Sequence, residues 1–199
     1  MSEKQVIENI ALFDMDGTLC NYDKAMRKDY NRIKSPSDPE YDLLNKKNIL
    51  PYLKERIRLV RRVPGWWKNL EKYNLGFDIL NLAKELGFTI NILTKCPQSA
   101  VNSWTEKVEW IRENLSEYDV NITISDDKGI VYGKVLVDDF PEYIERWLQN
   151  RPRGLVVMPA NIQNKYFKHK NVIRYNGSNL EEVKTALIKS KDRDIKKKS

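Results

Sequence analysis

The sequence predicts an α/β fold, an open parallel sheet with helices on both faces and a small helical insertion after the first strand. Three observations predict it. Ile10-Ala11-Leu12-Phe13 is a short apolar run followed by the turn residues Gly17-Thr18, the pattern of a buried strand. From Gly76 onward, helical and strand patterns alternate, which favours parallel strands joined by crossover helices. Between these, a Lys/Arg-rich segment keeps helical spacings and reads as an insertion into the sheet-forming chain. At 199 residues and 41% hydrophobic content, the chain can bury one substantial domain plus a small addition. The expected division is a core of residues 1–22 and 74–188, a helical cap of 23–73, and a disordered basic tail of 189–199.

Taken in order, Tyr41, Leu43 and Leu44, then Leu53, Ile57 and Val60, recur at helical spacings and predict two or more short helices around the loop Ser35-Pro36-Ser37-Asp38-Pro39. Val63-Pro64-Gly65-Trp66-Trp67 breaks that pattern with a turn and two large aromatics. Ile79, Leu82, Ala83 and Leu86 line one helix face, closed by Gly87. Phe88 to Leu93 is the next strand, with Thr94 at its carboxyl end. Val101, Trp104, Val108, Ile111 and Leu115 form the stripe of another helix, with Lys107 about 70° from its centre. Strands follow at Val120 to Ile124 and Val135 to Val137, separated by the polar loop Ser125-Asp126-Asp127-Lys128-Gly129. Pro141 suits the first turn of a helix that buries Ile144, Trp147 and Leu148. Two further strands at Leu155 to Met158 and Val172 to Tyr175 precede a final helix, for which Ser178-Asn179-Leu180-Glu181 offers a capping box.

Composition narrows the setting. No apolar run approaches the ~18 residues of a membrane span, and Met1-Ser2-Glu3-Lys4 lacks a signal-peptide pattern, so a cytoplasmic protein without membrane partners is expected. Cys20 and Cys96 give neither a disulfide framework nor zinc spacing. The net charge of +7 is uneven, with −4 over residues 1–23, +8 over 24–73, −1 over 74–188 and +4 over 189–199. Such a distribution attracts nucleotides or nucleic acid, although basic solvated helix faces are commoner, and nucleic acid is the less favoured partner.

The chemistry is concentrated where the first strand ends. In Phe13-Asp14-Met15-Asp16-Gly17-Thr18-Leu19 the two carboxylates stand two residues apart, hence on one side of an extended chain. Like charges so close repel unless a cation or proton lies between them, and a hard divalent ion, Mg2+ most plausibly, meets that need. Thr94, Lys128 and the pair Asp138-Asp139 also fall at strand ends or in loops beside them, where open parallel sheets bind ligands. They supply a hydroxyl, a cation and a further carboxylate, which a phosphate and its metal require.

Asp-x-Asp-Gly-Thr-Leu resembles the signature of the haloacid-dehalogenase-like (HAD) phosphohydrolases, which implies a HAD-like Rossmannoid sheet with a cap. Pro64-Gly65-Trp66-Trp67 with Leu70, then Gly76, Ile92-Leu93-Thr94, Asp127-Lys128 and Leu136-Val137-Asp138-Asp139, resembles the 5′(3′)-deoxyribonucleotidase group over most of residues 6–175. The resemblance implies a Mg2+-dependent phosphatase acting on (deoxy)ribonucleoside monophosphates through an aspartyl-phosphate. Asp14 would be the nucleophile, Asp16 the acid and base, Thr94 a phosphate ligand and Lys128 the phosphate's lysine in preference to Lys107. Mg2+ would bind Asp14, the backbone carbonyl of Asp16 and Asp139, with Asp138 as the alternative carboxylate. Tyr22 matches an aromatic position against the substrate, and at least one of Trp66 and Trp67 should face the cleft and stack on a base. Lys95 stands where the family usually has Ser, Phe140 where a basic or polar residue is common, and Arg61 where an aromatic lines the base pocket. These departures leave the phosphatase reaction intact and bear on the substrate. A phosphatase of nucleic-acid 3′-ends and a catalytically silent nucleotide- or nucleic-acid-binding protein are the alternatives, and the oligomeric state, a dimer included, is open.

Overall fold

The computed structural model describes residues 9–44 and 48–193. Six parallel strands form one sheet: β1 (Ile10–Phe13), β2 (Thr89–Thr94), β3 (Val120–Ile124), β4 (Val135–Val137), β5 (Leu155–Pro159) and β6 (Val172–Tyr175). Their order across the sheet is β3-β2-β1-β4-β5-β6. The chain leaves β1 toward β2 on one side and later returns to lay β4 on the other, so the topological switch falls between β1 and β4.

Register explains why the central strands β1, β4 and β5 are apolar nearly throughout. Ala11 pairs with Ile90 and Val135, and Phe13 with Ile92 and Val137. Together with Val157 they present one face to the helices α3 (Asn74–Glu85), α4 (Asn102–Asn114) and α6 (Leu180–Lys191). Leu12, Leu93, Leu136, Val156 and Met158 present the other face to Ile144, Trp147 and Leu148 of α5 (Pro141–Asn150). Both faces are therefore buried, which removes the polar alternation expected of a half-exposed sheet.

Between β1 and α3 lie two longer helices, α1 (Tyr22–Ile33) and α2 (Pro51–Arg61). The first is absent from the sequence reading, because only Met26 and Tyr30 are buried along it and its apolar stripe is thin. The residues Tyr41–Leu43, read as helical, make a single 3-10 turn. A second correction concerns α4. The apolar stripe read from the sequence is buried only in part: Ile111 and Leu115 are buried, but Val101 is 77% and Trp104 44% exposed, and Ser103, Glu106, Lys107 and Trp110 also face inward. The charged residues Glu106 and Lys107 can occupy that face because each finds partners there, whereas the buried Ser103 hydroxyl has none among the described residues.

The capping box does not form. Asn179 is the N-cap of α6 and donates to Glu182 Oε2, while Ser178 bonds Asn176. That helix also continues through Lys189–Lys191, where Ser190 is buried and Lys191 Nζ donates to the Leu86 carbonyl at 2.5 Å. The expected tail therefore starts within a helix, and residues 194–199 lie outside the described residues. Among the described residues no helix is long and apolar enough to cross a membrane.

Candidate active site

The carboxyl ends of β1, β2 and β4 meet around one cleft of about 470 Å3. Asp14 follows β1 directly and its N–H extends the ladder to the Val137 carbonyl at 2.8 Å, which holds the residue at the sheet edge. The next residues fold into a compact loop in which the Met15 carbonyl accepts from the N–H of Leu19 and of Cys20, both at 2.9 Å. Gly17 turns that loop with φ 75°, and a Cβ there would stand 2.5 Å from Asp139 Oδ2. Only glycine lets the first loop and the Asp139 carboxylate lie in contact.

Each of the two loop carboxylates has its own lysine. Lys128 donates to Asp14 Oδ1 and to Asp138 Oδ2, both at 2.7 Å, and its ammonium sits 4.7 Å from the Tyr143 ring centroid. Lys107, on α4 and 0% exposed, donates to Asp16 Oδ2 at 2.6 Å, Thr94 Oγ1 at 3.0 Å and the Lys95 carbonyl at 2.7 Å. The sequence resemblance favours Lys128 over Lys107 as the phosphate's lysine. Lys128 lines the cleft, and Lys107 lies fully buried behind Asp16 and Thr94. Its neighbour Glu106, also buried, accepts from the backbone N–H of Gly65 at 2.8 Å and of Trp67 at 3.0 Å. One Glu-Lys dipeptide thus ties the first loop to the segment that ends the helical insertion. The signal for it was the spacing 103, 106, 107, 110, 111, a helix face obscured because two of its members are charged.

Burial raises the Asp14 carboxyl to about 7, opposed by Lys128 and reinforced by the charges of Asp138 and Asp16. Asp139 is also pushed well above the ordinary carboxylate value, first by burial, then by Asp138 and Asp14. Burial works against the Lys128 ammonium, but Asp138 and Asp14 outweigh it and its pKa rises. The Cys20 thiol is driven up by burial and by Asp16, so it offers no ready thiolate.

Asp14, Asp138 and Asp139 each present an oxygen within 4.8 Å of the others. A hard divalent cation with bonds of about 2.1 Å keeps its oxygen ligands about 3–4 Å apart, so the residues fit such an ion. Asp138 is the less available of the pair after β4, since Lys128 takes its Oδ2 and the Phe140 N–H donates to its Oδ1 at 2.9 Å. Asp139 is steadied from outside by Asn161, whose Nδ2 donates to Oδ2 at 2.8 Å.

The upper walls come from the insertion and from the loop after β4. Tyr22, Lys54, Ile57, Arg61 and Trp67 line one side, Lys95 and Pro97 another, and Phe140, Tyr143 and Gln163 a third. Arg61 Nε donates to the Tyr22 hydroxyl at 2.7 Å, and Lys95 reaches the Asp126 carboxylate at 3.4 Å. Trp67 lines the cleft with 1% of its surface exposed, its ring already flanked by the Lys107 ammonium at 4.7 Å, Tyr22 at 5.8 Å and Trp66 at 4.8 Å. Trp66 stands outside the cleft, with its indole N–H donating to Asp29 of α1 at 2.9 Å. The two tryptophans are packed together where the insertion meets the core, and the open aromatic surface of the cleft belongs to Tyr22, Phe140 and Tyr143.

Comparison with known proteins follows the same lines. The family model described as 5′ nucleotidase, deoxy (pyrimidine), cytosolic type C protein matches residues 8–191. No curated protein matches the chain. Among solved structures it is similar to a HAD hydrolase of family IA, variant 3, from Entamoeba histolytica HM-1:IMSS, with 14% identity, 94% of this chain and 100% of that one covered, and a TM-score of 0.53. A haloacid dehalogenase-like hydrolase from Burkholderia xenovorans LB400 is similar at 16% identity, 90% and 98% coverage and a TM-score of 0.53. These likenesses establish the fold.

Proposed function

The chain belongs to the 5′ nucleotidase, deoxy (pyrimidine), cytosolic type C family of HAD phosphoric monoester hydrolases, and from that premise we propose that it hydrolyses (deoxy)ribonucleoside monophosphates with Mg2+ through an aspartyl-phosphate. The observation that supports this reading most is the pair of carboxylates on one strand end, each oriented by its own buried lysine. Asp14 would attack phosphorus while the bond to the leaving oxygen breaks and Asp16 delivers its proton to that oxygen. Asp16 would then take a proton from water, whose oxygen attacks the phosphorus of the aspartyl-phosphate, releasing phosphate and regenerating Asp14. Thr94 accepts the Lys107 N–H, which leaves its own hydroxyl proton for a phosphate oxygen. Mg2+ would be held by Asp14, the backbone carbonyl of Asp16 and Asp139, and when bound it screens the phosphate charge that would otherwise repel the nucleophile.

Residues 23–73 would act as a cap over a core of residues 1–22 and 74–188, with Lys54, Ile57 and Arg61 of α2 facing the substrate across the cleft. Two buried, unpaired cysteines suit a reducing compartment such as the cytoplasm. Phosphate release measured over a panel of nucleotides, with and without Mg2+ and with Asp14→Asn as control, tests the reading. Turnover surviving in Asp14→Asn, or none with any nucleotide, would refute it.

A further inference from the structure

The floor of the cleft can serve one phosphate. Lys107 spends all three of its N–H donors on Asp16, Thr94 and the Lys95 carbonyl. Lys128 spends two on Asp14 and Asp138, which leaves one. Two more cations line the same cleft from α2, where Lys54 and Arg61 stand seven residues and therefore two turns apart on one helix face. The Tyr22 hydroxyl engages Arg61 Nε and fixes the guanidinium plane. Among the described residues no protein group accepts from the two terminal nitrogens of Arg61 or from the Lys54 ammonium. A half-buried guanidinium that is held in orientation and keeps its fork unpaired by protein is a ready bidentate partner for an anion in the cleft.

We propose that Arg61 and Lys54 receive a second phosphate of the substrate, so that the preferred substrate is a nucleoside bisphosphate with its two phosphates on separate sugar hydroxyls. This rests on the reading of the cleft as a nucleotidase site. A phosphoanhydride would crowd both phosphates onto the floor, where a single lysine donor remains. The terminal phosphate of an oligonucleotide would bring only a singly charged diester to α2, a weaker match for two cations.

Calorimetry on the Asp14→Asn protein with Mg2+ separates recognition from turnover. A nucleoside 3′,5′-bisphosphate should bind about tenfold or more tightly than the 5′-monophosphate, the 5′-diphosphate or a 5′-phosphorylated dinucleotide. Arg61→Gln and Lys54→Gln should each remove much of that ratio. Lys54 is exposed, so its variant reports on recognition even if Arg61→Gln disturbs the packing around Tyr22. Equal affinity for monophosphate and bisphosphate would overturn the proposal, as would tighter binding of the diphosphate or dinucleotide, or a ratio unmoved in both variants. Failure of the wild-type protein to release phosphate from any nucleotide would instead overturn the phosphatase reading, while the binding ratios still decide this one.

Discussion

Asp14 and Asp16 are two residues apart and live in different surroundings. Asp14 is buried between Lys128 and two further carboxylates, and Asp16 is partly open with Lys107 on one oxygen. If Asp16 is the proton donor, Asp16→Asn should lower turnover of nucleotides by about 10²–10⁴-fold and that of an aryl phosphate far less, because a phenolate leaves without protonation. Equal losses on both substrates would count against the role. Burial also makes the charge of Asp14 depend on whether a cation is bound beside it. Its pKa rises from 3.8 to about 7, so without a metal the folded protein holds a proton that the unfolded chain releases. The stability this contributes is complete below about pH 4 and is lost as pH rises through about 7. Mg2+ should therefore raise the melting temperature by several degrees at pH 8 and scarcely at pH 5, where protons compete for the same oxygens; thermal scans with and without chelator at both pH values check this.

Elements carry the site through close backbone contacts. The first turn of α3 lies against the loop that follows β1 so tightly that a Cβ on Gly76 would stand 1.8 Å from the Thr18 carbonyl oxygen. Gly76→Ala must push the helix or the loop aside, and a displacement near 1 Å at the loop should cost about a hundredfold in kcat. Circular dichroism with steady-state kinetics would show it, and unaltered kcat would mean the loop is not held by that helix. The sequence suggests base stacking for at least one of Trp66 and Trp67; Trp67 lines the cleft but is 1% exposed, packed against Tyr22 and the Lys107 ammonium with its indole N–H donating to the Arg61 carbonyl. Trp67→Ala should thus destabilise the fold by about 3–5 kcal/mol rather than act on KM alone. Denaturant unfolding decides between the two roles.

At the scale of the molecule, a chain of net charge +7 concentrates its basic excess in the insertion that overhangs the cleft. An anionic substrate should be drawn in by that field, so kcat/KM should fall as ionic strength rises toward 0.15 M, where screening acts over about 8 Å. A neutral osmolyte at equal osmolarity should leave it unchanged. Salt titration of kcat/KM gives the measurement.

The order of strands and helices from α3 onward, the strand ends that carry Asp14, Thr94 and Asp138-Asp139, and the loop that carries Lys128 were all legible in the sequence, whereas α1 was not. Parallel strands buried on both faces are apolar runs, and chemistry placed just beyond such runs stands out against them. What the sequence could not decide was the company each charge keeps. Lys107 and Glu106 sit off the apolar stripe that periodicity finds on this helix, because hydrophobicity scores a charge by its cost in isolation and not by the partners it will meet. Those partners come from far along the chain: Asp16 for Lys107, and Gly65 and Trp67 for Glu106. Likewise the two tryptophans have the same composition in the cleft or in the packing beneath it, and only the meeting of α1, α2 and α4 settles which. Contacts that are local in sequence show in its pattern, whereas the pairing of buried charges is a property of the folded chain alone.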